Sequence, residues 1–222
     1  MFSKKAFSLL VASMLLLTSC AAITKIVPDK KVVSVLSGRE GVDGQILVVK
    51  IDDTNMAHPQ IGLEDADVVY IEQVEGGLTR LAAVFASKIP VRVGPVRSAR
   101  ISDIDILSQY GRIAFAYSGA QSKMRPVLAQ ANLVNMSAEI NPPTIYQTDK
   151  NRYSPTNMML DASSLLTKTI ESEGKKIDTV RSVGWQFGKV ADGAKKILAV
   201  SFKWPASRYS ATWSTSEKRW LL

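Results

Sequence analysis

Residues 93–105 read V-G-P-V-R-S-A-R-I-S-D-I-D, with Arg97 and Arg100 on either side of Ser98 in a turn that runs into a helical pattern. A guanidinium is planar, permanently charged and able to grip a carboxylate or phosphate with two parallel hydrogen bonds. Free N–H groups at a helix start also favour an anion, and Ser98 adds a hydroxyl donor. With Arg80 these residues form a candidate anion- or ligand-binding set: Arg80, Arg97, Ser98 and Arg100. The competing arrangement is structural, because Glu72, Glu75 and Asp52 are expected at the same edge and could pair with the arginines to hold the loops.

The same three carboxylates carry the other chemistry the sequence offers. Two acids are the minimum for glycoside hydrolysis, roughly 5–5.5 Å apart for retention or about 6.5–9.5 Å for inversion. Glu72, Glu75 and Asp52 are therefore the candidate catalytic residues of an alternative, hydrolytic reading. Other chemistries fail on counting. The chain has one histidine, His58, and one cysteine, Cys20, which excludes Ser-His-Asp and Cys-His machinery and histidine-rich zinc sites. Asp52, Asp53 and Asn55 lack the glycine and distal glutamate of a calcium loop. No metal and no cofactor is expected.

Elements must bring these residues together. Residues 45–51, Q-I-L-V-V-K-I, form a nearly continuous apolar run that predicts a central strand buried on both faces and ending at Asp52. Val68, Val69, Tyr70 and Ile71 predict a second strand, and Gly76-Gly77 a tight hairpin into a third. Ser102 is the expected N-cap of a helix whose Asp103 and Asp105 complement the dipole, with Gly111 as its stop. Residues 112–118 read as a strand, 120–131 as a helix kinked at Pro126, 136–153 as loop and 157–173 as a helix. Short strands are expected at 183–188 and from 197 onward. Trp185, Trp204, Trp213 and Trp220 all fall in this last section, where they are expected as core rather than as a sugar-stacking row. The fold class is mixed α/β (α+β): a central mixed sheet flanked by helices, followed by an incomplete β-rich C-terminal unit.

The bulk numbers fit one well-cored domain plus a small second unit: 222 residues, 46% hydrophobic and 22% charged. The formal net charge of +8 suits nucleic acid, anionic lipid or anionic polymer, and the N-terminus decides among them. Lys4 and Lys5 precede an apolar run over 6–17 that is too short to span a bilayer comfortably. Leu17-Thr18-Ser19-Cys20 then resembles a bacterial lipobox, whose cysteine is lipidated. The sole cysteine stands at the one position such a box needs. The mature chain would then be extracytoplasmic, free of disulfides and anchored to the membrane through Cys20, and nucleic acid is not an expected partner. The expected organisation is a signal peptide over 1–20, a tether over 21–44, a main domain over 45–174 and the start of a β-rich part over 175–222, which ends on apolar Trp220, Leu221 and Leu222 as a truncated fragment would.

Four strings occur in order: P-Q-I-G-L, A-D-V-V-Y, V-E-G-G-L-T-R and G-P-V-R-S-A-R. Together they resemble the YerB-type bacterial lipoproteins, well over residues 45–165 and loosely after that. The resemblance implies a membrane-anchored envelope protein with a mostly β second part, and it supplies no reaction, since the shared domain has no assigned function. His58 stands where that family more often has arginine, and Thr156 where it usually has histidine. If that histidine does chemistry in the family, this chain lacks that chemistry or has a modified version of it.

The expected function is therefore a non-catalytic, extracytoplasmic lipoprotein on the bacterial membrane. It would bind peptidoglycan, an anionic wall polymer or a wall-enzyme partner through Arg80, Arg97 and Arg100. A wall-glycan-cleaving enzyme is the alternative. A solute-binding lipoprotein is weaker, because such receptors usually need two full lobes.

Overall fold

The computed structural model describes residues 31–222; the signal segment with Cys20 and the first part of the expected tether lie outside the described residues. Strand β1 (Leu47–Asp52) is buried at all six positions. Its apolar run does not alternate because both faces are covered, which is how a central strand reads. It pairs antiparallel with β3 (Thr79–Phe85), which in turn pairs antiparallel with β2 (Val68–Gln73). On its other side β1 pairs parallel with β5 (Ile113–Ala116), and β5 with β6 (Leu133–Asn135). The resulting five-stranded mixed sheet has the order β2-β3-β1-β5-β6.

One face of this sheet buries Leu47, Val49, Ile51, Leu81 and Phe85. It is covered by a three-stranded sheet of β4 (Arg92–Val93), β8 (Met158–Asp161) and β7 (Tyr146–Thr148), and by Leu165 of helix α3 (Ala162–Thr167). The opposite face buries Ile46, Val48, Val84 and Phe115 beneath Leu107 of α1 (Ile101–Ser108) and Leu128 of α2 (Arg125–Gln130). Each fully buried aliphatic side chain contributes about 1.5–3 kcal/mol, so the two layers supply the main stabilisation. The fold is mixed α+β, as the sequence predicts.

Several local expectations are corrected. The helix expected over 157–173 begins as strand β8, because residues 158–161 pair with β7 and, in part, with β4. Asp161 then caps α3, accepting from the Ser164 N–H at 2.9 Å. Pro126 lies in the first turn of α2 and produces no kink, since its missing N–H is an orphan there anyway. The loop expected over 136–153 contains β7. Residues 183–188 find no ladder partner and form no strand. Within the expected tether, Leu36 is buried in the core and Arg39 pairs with Asp67, so residues 33–44 pack on the fold. Ser102 is not the N-cap of α1. Arg100 occupies that position, and the Asp103 carboxylate takes its backbone N–H at 2.6 Å.

The C-terminal section is an antiparallel meander of β9 (Ala199–Lys203), β10 (Arg208–Ser214) and β11 (Arg219–Leu221). Its tryptophans are not core. Trp220 and Trp185 are exposed, while Trp204 and Trp213 are half-buried. Three short strands cannot enclose indoles, so the rings lean on one another: Trp213 on Trp220 at 5.8 Å and Trp204 on Tyr209 at 5.3 Å. Among the described residues no helix is long and apolar enough to cross a membrane.

Candidate functional site

Strand register builds the first row of the site. Asp52 on β1 faces Arg80 on β3, and Arg80 faces Glu72 on β2. The period of two along each strand turns all three toward the α1 side, one step beyond Lys50 and Ala82. The segment 95–100 is then pinned across the ends of β1 and β5. The Asp52 N–H donates to Pro95 O, the Arg97 N–H to Lys50 O and the Ser118 N–H to Arg97 O, at 2.8–3.0 Å. Arg80, Arg97, Ser98 and Arg100 are thereby gathered at one edge with Asp52 and Glu75.

Their contacts differ. Arg100 is held, its Nε and Nη2 donating to Glu75 Oε2 at 2.9 and 2.7 Å. Arg80 Nη1 donates to Ser98 O at 2.7 Å, and Arg80 has no carboxylate within ion-pair distance among the described residues. Burial, with Arg100 and Arg97 adding like charge, pulls Arg80 down to about 10. Arg97 Nε lies 2.6 Å from Asp52 Oδ2, but neither atom is aligned for a hydrogen bond. The terminal nitrogens of Arg97 make no hydrogen bond to any described residue. Three guanidiniums thus meet two paired carboxylates, leaving the edge with positive charge to spare. Ser98 Oγ approaches Ser118 Oγ at 3.3 Å.

The three candidate catalytic acids do not converge. Asp52 lies beneath Arg97 and accepts the Thr54 N–H at 2.8 Å. Glu75 turns outward to Arg100. Glu72 is buried and belongs to a different cluster, in which the fully buried Lys50 donates to Glu72 Oε1 at 2.5 Å and to Asp103 Oδ1 at 2.6 Å. Ser102 Oγ donates to the other Glu72 oxygen at 2.7 Å. Burial foremost, with Glu72 adding like charge and Lys50 opposing, raises Asp103 to about 7. Sequence reasoning missed Lys50 and Asp103. The available signal was a lysine inside an apolar strand buried on both faces, which must bring carboxylates with it.

A third cluster surrounds Asp53, whose carboxylate accepts from Thr79 Oγ1 at 2.7 Å, from Gln60 Nε2 at 3.2 Å and from the Tyr209 hydroxyl. His58 Nε2 stands 3.3 Å from Asp53 Oδ1. Burial, with the Asp53 contact adding, raises Tyr209 to about 12.

Cavities adjoin the loop between β1 and β2. One of about 430 Å³ is lined by Asp52, Arg97, Asn55, Thr156 and Ser207. Another of about 480 Å³ is lined by Asp53, Asn55, Gln60, Ser207, Arg208 and Tyr209. His58 and Thr156 share the wall of a third, of about 420 Å³. Among the described residues no group of three His, Cys, Asp or Glu side chains could hold a metal ion. Asp52, Glu72 and Glu75 each pair with a cation, whereas Asp53 is held by neutral donors.

Residues 35–178 match the family model described as Protein of unknown function (DUF3048) N-terminal domain. Over 91 residues the sequence is 40% identical to YerB, a candidate lipoprotein of Bacillus subtilis (strain 168), covering 38% of this chain and 27% of that protein. The crystal structure of the YerB protein from Bacillus subtilis superposes with a TM-score of 0.65 over 86% of this chain and 66% of that one, at 20% identity. That likeness is one of fold. The chain spans less than two thirds of the length of these relatives.

Proposed function

Because this chain belongs to the DUF3048 family, we propose that it is an extracytoplasmic lipoprotein, anchored to the bacterial membrane through Cys20. In this reading it binds an anionic component of the cell envelope at the Arg80, Arg97 and Arg100 edge without catalysing a reaction. The lipobox-like Leu17-Thr18-Ser19-Cys20 and the lipoprotein description of the Bacillus subtilis relative support the anchor. Residues 45–174 would act as the binding domain and residues 175–222 as the start of a β-rich part.

The observation that carries the binding reading is Arg97. It lines a cavity, its terminal nitrogens have no hydrogen-bond partner among the described residues, and a second guanidinium, Arg80, stands beside it with no carboxylate within ion-pair distance among those residues. Bidentate capture of a carboxylate or phosphate would use those nitrogens and relieve the repulsion among the three cations. The hydrolytic reading is less favoured, because Asp52, Glu72 and Glu75 are each tied to a cation rather than set as a pair across a cleft.

The test is co-sedimentation of the mature protein with purified wall material. Arg97→Ala, with an unchanged circular dichroism spectrum, abolishes retention; undiminished retention rejects the reading. Soluble glycan fragments released during the incubation would instead establish the hydrolytic alternative.

A further inference from the structure

We propose that the ligand of this site is an acidic saccharide, a sugar ring bearing a carboxylate or phosphate, lying in a groove from Arg97 to Tyr209. This deepens the anion-binding reading and rests on it. The cavity beside Arg97 and the cavity beside Tyr209 share Asp53, Asn55, Ala206 and Ser207 as walls, so the two adjoin along these residues. Each lies within the roughly 300–1,000 Å³ typical of small-molecule sites.

The lining past the arginines suits hydroxyls. The amide of Asn55 makes no hydrogen bond to any described residue and offers two donors and an acceptor. Gln60 Nε2 is held by Asp53 Oδ1, and its carbonyl oxygen accepts no hydrogen bond from a described residue. Ser207 Oγ contacts Thr79 Oγ1 at 3.0 Å and keeps further capacity. Planar amides that both give and take hydrogen bonds match sugar hydroxyls, which do the same. The half-buried Tyr209 ring lines the second cavity and provides aromatic surface for the C–H face of a ring. Arg208 in the second cavity has no carboxylate within ion-pair distance among the described residues, so each cavity contributes a guanidinium, Arg97 beside Asp52 in one and Arg208 in the other. A bare phosphate would use only the arginine end and leave the amides idle.

Titration calorimetry on the mature protein separates the layers of this argument. The probes are inorganic phosphate, the disaccharide of N-acetylglucosamine and N-acetylmuramic acid, and the neutral disaccharide chitobiose. The acidic disaccharide binds at least tenfold more tightly than chitobiose, about 1.4 kcal/mol. Asn55→Ala removes an exposed side chain that makes no hydrogen bond to any described residue; it weakens the acidic disaccharide several-fold and leaves phosphate unchanged. Arg97→Gln weakens both. Equal affinity for the two disaccharides, or no response to Asn55→Ala, overturns the saccharide assignment while leaving anion binding intact. Binding of phosphate and disaccharide undiminished by Arg97→Gln overturns the anion site itself.

Discussion

Lys50 shows how one side chain can reorganise a site. Its ammonium is fully buried and satisfied by Glu72 and Asp103, which withdraws Glu72 from the candidate catalytic acids. Two carboxylates share one cation in a low-dielectric setting, so the charged form of Asp103 is disfavoured. Its folded pKa, about 7, is above the ordinary aspartate value, so the folded state holds this proton more tightly than the unfolded chain. The contribution to stability is therefore full below about pH 4 and is lost as pH rises toward 7. Asp103→Asn, which mimics the protonated acid, removes this dependence. The melting temperature of the variant relative to the parent climbs between pH 4 and 7 and levels off above; a constant difference across that range refutes the assignment. The acids and arginines at this edge were legible from residue type. Which acid met which cation was not, because the pairing depends on strand register and on a lysine that reads as part of an apolar run.

At the scale of elements, turns translate cleanly from sequence while strand partners do not. Gly76 and Gly77 both take positive φ, 69° and 73°, in the β2–β3 connection, as the hairpin reading requires. Residues 158–161 look helical but become strand β8, since ladder hydrogen bonds to two neighbours outweigh the helical propensity of Met158, Met159 and Leu160. Glycine substitutions separate backbone strain from crowding. At Gly76 an added Cβ meets nothing within 4 Å, whereas at Gly62, also at positive φ, it falls 2.4 Å from the Arg92 carbonyl oxygen. Gly76→Ala costs about 1–2 kcal/mol for the left-handed conformation alone, and Gly62→Ala costs clearly more. Urea denaturation of the two variants checks the order.

Across the whole molecule, the β9–β11 meander is tied to the main sheet by a few polar contacts rather than by a shared apolar core. Tyr209 and Ser207 reach the Asp53–Thr79 cluster, and the Ala206 N–H donates to Gly77 O at 3.0 Å. Sub-global opening follows the weakest seams. Tyr209→Phe removes a hydrogen bond to Asp53 and loosens this seam. Hydrogen exchange then accelerates in residues 199–221 and stays slow in β1 and β3; uniform protection in the variant would show that the seam does not depend on Tyr209. Residues 53, 55, 207 and 209 also wall the proposed groove, so the same variant tests whether ligand binding holds the seam closed.

The sequence by itself determined the central strand, the hairpin glycines, the family resemblance and the cluster of arginines and acids. Each of these is carried by local spacing or by residue type. Tertiary structure alone decided that Lys50 claims Glu72 and Asp103, that Asp52 answers Arg97, that residues 33–44 pack on the fold and that the tryptophans stay near the surface. Those outcomes depend on which segments share the sheet and in what register. One-residue shifts in register would send every side chain to the opposite face, so no local pattern could have chosen among them.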